Sequence, residues 1–211
     1  MENEKFIDRN PSLETYWRSI VLIGRNTASY KFSLAKSLLE FPTKENFIGL
    51  DDLAIPFAKN ITEHLKTNDK QDTGPTNKFL DVCRKYNNDE IDEDELISET
   101  RKKGFRYVFN AFHNVGESKI PQFFEEVKGK QKGLTLSDNF YKLLENKQSS
   151  NLTFEVNSRW RLWETAISLE MNPKLIVYSD DDGENLFVFN NNTRRVDVTS
   201  SRNALNGYQK G

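Results

Sequence analysis

The sequence predicts an α+β fold, with a mostly helical body over residues 10–171 and a small antiparallel β-sheet or hairpin near the C-terminus. Two observations lead to this prediction. Through most of the first 171 residues, apolar side chains recur every three or four positions, which is the spacing of one helical face. Beyond Pro173, apolar and polar residues alternate, which is typical of strands. We expect residues 1–211 to form a single domain.

The stretch 152–171 predicts the helix at the centre of the hydrophobic core. Its apolar face carries Trp160 and Trp163, and each tryptophan buries roughly 200 Å² when it packs inside a protein. The helix begins near residue 153 or, if its first residues are extended, at residue 157.

Charged residues on the same helix are spaced for pairing along its surface. We expect Glu155 to pair with Arg159 at i,i+4 and Arg161 to pair with Glu164 at i,i+3. The third tryptophan, Trp17, is expected to join the core from another helix.

Two helices are predicted before residue 42, and together they form a helical hairpin. Asn10-Pro11 is typical of a helix start, and Gly24–Asn26 is typical of a helix end. The second helix carries an apolar stripe over residues 32–39 and ends at Pro42.

Further helices are predicted over residues 51–65, 78–86 and 87–112, with a polar loop at 66–77. The helix over 87–112 has an acidic start and a basic middle, which suits the helix dipole. Residues 117–136 are open between a strand and a helical turn, and they contain a loop at 128–133. Ser137 is expected to cap the next helix.

The predicted C-terminal sheet has three strands, at residues 175–178, 186–189 and 195–199. The first two are joined by a turn that contains Asp182-Gly183, a strong hairpin signal. We expect residues 200–211 to begin a helix that is truncated by the end of the chain.

Composition excludes several classes of function. The net charge is −2, so a nucleic-acid contact needs a local basic patch instead of a global basic field. The single cysteine, Cys83, cannot form an intramolecular disulfide, which favours a reducing, cytoplasmic location. No apolar run approaches the length of a membrane span, so we expect no membrane partner.

No catalytic residue and no metal ligand is predicted in this chain. His64, His113 and Cys83 are too few for a zinc site with the usual nitrogen and sulfur ligands. The acidic runs at 89–95 and 180–184 could be interpreted as carboxylate metal sites. Contiguous acids are more typical of a solvated face and a hairpin turn.

Two local groups of basic residues are the candidates for contact with nucleic-acid phosphates. One group flanks the first helical hairpin and the other lies near the C-terminus: Arg18, Arg25 and Lys31, then Arg194, Arg195 and Arg202. The alternative interpretation is that these residues only keep the surface soluble.

Three stretches together resemble the N-terminal, non-catalytic region of bacterial HNH-endonuclease-type proteins. They are Tyr16-Trp17-Arg18-Ser19-Ile20-Val21-Leu22-Ile23-Gly24-Arg25-Asn26 with its continuation at 29–36, Phe154-Glu155-Val156-x-x-Arg159-Trp160-Arg161-Leu162-x-Glu164, and Thr199-Ser200-x-Arg202-x-Ala204-Leu205-x-x-Tyr208-Gln209. In that family, the last stretch leads into a Cys-x-x-Cys zinc knuckle and a His-Asn-His catalytic unit.

This chain contains neither the knuckle nor the catalytic unit, so no catalytic or zinc residue of the family carries over to it. The resemblance implies an accessory part of a nuclease that recognises DNA or RNA or regulates cleavage. Zinc or another divalent metal would then belong only to an HNH unit beyond Gly211.

Two other functions stay open at this level. A protein-interaction module would use the acidic segment 87–99 and exposed aromatic residues to form a homo- or hetero-oligomer. A metal-dependent enzyme would use the acids of 89–95 or 180–184 and would be stabilised by Mg²⁺, Mn²⁺ or Ca²⁺.

Overall fold

The computed structural model describes residues 11–22, 26–41, 45–115, 119–146, 149–171, 178–179, 186–189 and 195–205. Within these ranges, only the backbone is described at residues 22, 178–179, 186–189, 195 and 203–205. Eight α-helices form within this part of the chain: α1 Leu13–Leu22, α2 Tyr30–Glu40, α3 Leu50–Thr67, α4 Lys78–Asn87, α5 Glu93–Glu99, α6 Val108–Phe112, α7 Asp138–Glu145 and α8 Ser149–Ser168. A π-helical segment, Thr100–Gly104, follows α5, and a 3-10 helix spans Thr199–Leu205.

The described strands form two antiparallel sheets of three strands each. The first sheet has the order β1-β3-β2, with β1 Phe47–Gly49, β2 Phe124–Val127 and β3 Gly133–Leu136. The second has the order β4-β5-β6, with β4 Tyr178–Ser179, β5 Leu186–Phe189 and β6 Arg195–Asp197.

The predicted α+β class is confirmed, but the predicted position of the sheet was incomplete. A sheet near the C-terminus does not account for β1, β2 and β3, which lie inside the helical body. Residue 47 pairs with residue 135, and residue 124 pairs with residue 136. These strands are only three or four residues long, too short for alternation in the sequence to reveal them.

Helix starts follow ordinary capping chemistry at some positions and depart from it at others. The Asn77 side chain accepts from the backbone N–H groups of residues 79 and 80, and Asp92 accepts from Glu95. Ser137 occupies the predicted cap position of α7, but its hydroxyl donates to the Gln122 carbonyl instead. Asn10 lies outside the described residues.

The helix predicted over residues 87–112 is divided into three parts. Helix α5 gives way to the π-helical segment at Thr100, and three turn residues separate Gly104 from α6. A Cβ atom at Gly104 would lie 3.1 Å from the Phe57 ring and 3.2 Å from the Phe79 ring. Glycine therefore lets this segment approach α3 and α4 closely, and the close approach accompanies the break in the α-helix.

Helix α8 lies in the core and buries the tryptophan face that the sequence predicts. Trp17, Trp160 and Trp163 are each no more than 1% exposed. Phe32 of α2 stacks on Trp160, and Trp17 of α1 contacts Phe123 edge to face. Helix α8 begins at Ser149, before either predicted start, and ends at Ser168.

Candidate nucleic-acid interface

Two of the basic residues predicted to contact phosphates are occupied or buried. The Arg18 guanidinium forms two hydrogen bonds with Glu155 of α8, at 2.7 and 3.0 Å, and this contact raises the pKa of Arg18. Lys31 is 4% exposed, and its Nζ has no hydrogen-bond partner among the described residues. Burial lowers the pKa of the Lys31 amine to about 8. Arg18 therefore pairs with a carboxylate of α8 and Lys31 lies in the interior, and contact of either residue with phosphate stays a prediction.

The other predicted phosphate contacts are described in part or not at all. Arg25 and Arg194 lie outside the described residues. Arg195 begins β6, where its backbone is described and its side chain is not. Arg202 is an exposed residue of the 3-10 helix. Contact of these four arginines with nucleic acid stays a prediction.

Both carboxylates of the ion pairs predicted along α8 contact other elements. Glu155 binds Arg18 of α1. Glu164 accepts hydrogen bonds from His64 Nδ1 and Gln71 Nε2, whereas Arg161 is exposed and forms no ion pair with Glu164. Glu155 and Glu164 therefore connect α8 to α1, to α3 and to the loop after α3.

A basic groove of about 500 Å³ lies between three parts of the chain that are distant in sequence. Its walls are the start of α3, the segment from Arg101 to Phe109, and the β2–β3 hairpin. Among the described residues that line the groove, five are basic and one is acidic: Arg101, Lys102, Arg106, Lys128 and Lys132, with Glu126. We call this feature the basic groove.

Two direct contacts hold the walls of the basic groove in place. The backbone N–H of Leu50, the first residue of α3, donates to the Lys132 carbonyl at 3.1 Å. The Arg101 guanidinium lies 2.7 Å from the carboxylate of Asp51 in the first turn of α3. Helix α3 therefore joins the hairpin to the π-helical segment.

The basic residues of the groove reach solvent, and their existing partners bind them weakly. Lys102 lies 2.8 Å from Glu99, and Lys128 lies 3.3 Å from Glu126. Hydrogen bonds from Lys102 and then Lys103 lower the pKa of Glu99 to about 2. Exposed ion pairs of this kind stabilise a protein by about 0–1 kcal/mol, so a phosphate can compete for the same cations.

Two basic residues of the groove have no acidic partner. Arg106 and Lys132 form no ion pair with any residue that the structure describes. The Arg106 guanidinium instead lies over the ring of Tyr107, 5.1 Å from its centroid. These two cations give the groove a positive charge that internal ion pairs do not neutralise.

The polar and nucleophilic residues of the interior do not form a comparable surface site. His64 contacts Glu164 and Asn157 and stacks on Trp160, all within the core. Burial raises the pKa of the Cys83 thiol to about 12, so the reactive thiolate is not populated at neutral pH. The acids of 180–184 lie outside the described residues, and within the described ones no three His, Cys, Asp or Glu residues are placed to hold a metal ion.

The sequence contained the basic residues of the groove, but their proximity was not predicted. Arg101, Lys102 and Arg106 were assigned to the middle of a helix, and Lys128 and Lys132 to a loop. The signal that could have found the groove is a lysine-rich hairpin loop together with a basic helix that a glycine interrupts.

No protein-family model, curated protein sequence or solved structure matches this chain with statistical significance. None of the helices in the described part of the chain is both long and apolar enough to cross a membrane.

Proposed function

We propose that this chain binds nucleic acid through the basic groove and serves as a recognition part of an HNH-type endonuclease. The observation that supports binding is the convergence of five basic side chains on one concave surface of a protein whose net charge is −2. The nuclease association rests on the sequence resemblance at residues 16–36, 154–164 and 199–209.

Binding to the phosphate backbone follows from the chemistry of the groove. Lysine and arginine contacts with phosphates release counterions, so the affinity falls steeply as the salt concentration rises. Such contacts fix the position of the nucleic acid and do not read its sequence. We therefore expect low sequence selectivity from this groove.

The test compares two charge reversals that change the net charge of the protein equally. Lys132→Glu places an acid in the basic groove, whereas Lys142→Glu does so at an exposed position of α7 outside the groove. We expect Lys132→Glu to weaken binding of a labelled oligonucleotide and to make its salt dependence shallower, with a change in slope of about one. Lys142→Glu should bind as the wild type does.

Two results would contradict binding through the groove. Absence of oligonucleotide binding at low salt would exclude it, because electrostatic contacts are strongest there. Equal weakening by both charge reversals would show that the total charge, and not the groove, determines the affinity.

The nuclease association has its own test in the intact mass of the protein from its native host. The mass of this chain is 24.6 kDa. A mass larger by about a small catalytic domain, with a Cys-x-x-Cys and His-Asn-His sequence after Gly211, would support the association. A mass equal to that of this chain would contradict it and leave the nucleic-acid binding to be judged separately.

Self-association is the second candidate function, and it is favoured by the exposure of large apolar side chains. Ile55 is 47% exposed and Phe154 is 62% exposed. Light scattering over a range of concentrations tests this function. Dimers that dissociate in an Ile55→Ser or Phe154→Ser variant would support it, and a monomer at every concentration would exclude it.

A further inference from the structure

An exposed aromatic residue contacts Arg106, one of the basic residues of the groove, although its ring lines a separate shallow depression. Tyr107 is 70% exposed, more than either of the other large exposed hydrophobic residues in the described chain. The Arg106 guanidinium, which lines the groove, lies over the Tyr107 ring. Arg106 therefore connects the basic groove, which can bind phosphate, to an aromatic ring on which a base can stack.

Part of the lining of the basic groove is apolar. It includes Leu50 and Val127, which are half-buried, and Phe105 and Phe109, which are largely buried. A phosphate gains nothing from contact with these residues, whereas the flat face of a base or the carbon atoms of a sugar can pack on them. The groove therefore combines contacts for the charged and the apolar parts of a nucleotide.

The exposed aromatic ring and the apolar part of the lining favour a single strand over a duplex. In a duplex, the bases are stacked inside the helix and only their edges are reachable through the grooves. A single strand can bend into a concave surface and turn its bases outward onto aromatic side chains. The exposed Tyr107 ring and the apolar part of the lining can contact an unstacked base, which a duplex does not present.

We propose that the basic groove selects single-stranded nucleic acid, with one base stacked on Tyr107 beside Arg106. This inference rests on the proposed function, because it specifies the form of nucleic acid that the same groove binds. Phosphates would contact Lys128 and Lys132 of the β2–β3 hairpin, while one base stacks on the Tyr107 ring.

The experiment measures fluorescence anisotropy of a labelled oligothymidylate and of a labelled duplex of the same length. We expect the wild-type chain to bind the oligothymidylate more tightly than the duplex. Stacking on one aromatic side chain corresponds to a change of about 5- to 150-fold in Kd, so Tyr107→Ala should weaken oligothymidylate binding by that factor. Duplex binding should not change in this variant.

Two further variants separate stacking from other effects of the substitution. Tyr107→Phe keeps the ring and should retain the affinity for oligothymidylate. Tyr86→Ala removes a half-buried aromatic ring from α4, outside the groove, and should leave oligothymidylate binding unchanged. Because Tyr107 is largely exposed, far-UV circular dichroism should show that Tyr107→Ala folds normally.

The possible outcomes distinguish failure of this inference from failure of the proposed function. Wild-type affinity of Tyr107→Ala for oligothymidylate would overturn stacking, and so would equal weakening by Tyr86→Ala. Tighter binding of the duplex by the wild type would overturn the preference for single strands. In each of these cases, loss of binding in Lys132→Glu would still support the groove. Absence of binding to both oligonucleotides would overturn the proposed function itself.

Discussion

The Nδ1 atom of His64 in α3 lies 2.7 Å from Oε1 of Glu164 in α8, across a separation of 100 residues in the chain. The same oxygen accepts a hydrogen bond from Gln71, and the Gln71 side-chain oxygen accepts one from the indole N–H of Trp160. The His64 ring also stacks on Trp160, with centroids 3.6 Å apart. This network joins α3, the loop after it and the central helix through buried polar contacts.

We predict that the His64–Glu164 contact contributes strongly to stability. Glu164→Ala leaves His64 Nδ1 and Gln71 Nε2 in the core without their shared acceptor, and an unsatisfied buried polar group costs about 1–3 kcal/mol. We therefore expect a loss of at least that size in the free energy of unfolding, measured by urea denaturation. A double-mutant cycle with His64→Phe should give a coupling energy of about 0.5–3 kcal/mol.

The control for this cycle is Glu170, an exposed acid just after the end of α8. Glu170 has a positive φ of 56°, so the control substitution is Glu170→Asn, because asparagine tolerates this conformation. Coupling between His64 and Glu164 no larger than that between His64 and Glu170 would contradict the network.

Periodicity in the sequence predicted the helices that pack along a continuous apolar face. Helix α4 and the second helix of the hairpin match the predicted stretches closely, because their apolar stripes repeat without interruption. The π-helical segment was not predicted, since it depends on how closely Gly104 approaches Phe57 and Phe79. Contacts of that kind join residues far apart in sequence, and periodicity carries no information about them.

The sequence also carried no information about the tertiary contacts that form the candidate site. Charge alone identified Arg18 and Lys31 as surface cations, but tertiary packing placed one against Glu155 and buried the other. The basic groove was missed because Arg101 and Lys132 are brought together by contacts with the first residues of α3. A sequence shows which residues are basic, whereas the fold determines which of them converge.

The buried amine of Lys31 leads to a prediction about pH. Its pKa is about 8 in the folded chain and 10.5 in the reference state without burial, so the unfolded state binds more protons between these values. Lys31 therefore destabilises the fold fully below pH 8, and this effect disappears as the pH rises past 10.5. Lys31→Met should raise the free energy of unfolding at pH 7 by on the order of 3 kcal/mol.

The measurement is urea denaturation of Lys31→Met and the wild type from pH 7 to pH 10.5. The stabilisation should stay near its full value up to about pH 8 and shrink from there to pH 10.5, as the amine of the wild type becomes neutral first in the folded and then in the unfolded state. Lys59→Met, at an exposed position of α3, is the matched control and should show little change at any pH. A constant stabilisation by Lys31→Met would mean that packing, and not the buried charge, causes it.

His113 provides a second prediction about pH, in the acidic range. Burial, with a smaller effect from the nearby Lys31 charge, lowers the pKa of His113 from 6.5 to about 4. Its Nε2 accepts a hydrogen bond from the Phe123 N–H at 3.0 Å, and protonation would remove that acceptor. The unfolded state binds more protons between pH 6.5 and 4, so stability falls as the pH drops through this window.

We expect His113→Gln to reduce this loss of stability with acid. The glutamine side chain keeps an acceptor for the Phe123 N–H and does not titrate. Free energies of unfolding measured from pH 6.5 down to pH 5 should fall less steeply for the variant than for the wild type. This range lies above the reference pKa values of Asp and Glu, so their protonation contributes less there. Parallel curves for the two proteins would exclude His113 as the source.

Gly133 on β3 should not tolerate a larger side chain. A Cβ atom at this position would lie 2.2 Å from the Ile48 carbonyl oxygen and 2.8 Å from the Phe47 ring. The carbonyl is part of the backbone of β1 and cannot rotate away, so β1 and β3 would have to separate. Overpacking of this kind costs about 1–3 kcal/mol, and we expect Gly133→Ala to lose at least that much in the free energy of unfolding.

Gly74→Ala is the matched control for this substitution. Gly74 lies in the exposed loop between α3 and α4, where an added Cβ atom meets nothing within 4 Å. Alanine there should leave stability unchanged or raise it by about 0.4–1 kcal/mol, because it restricts the unfolded chain.

Since β3 forms one wall of the basic groove, Gly133→Ala should also weaken oligonucleotide binding under conditions in which it remains folded. Wild-type stability in Gly133→Ala would show that β1 and β3 are not packed as closely as the structure indicates.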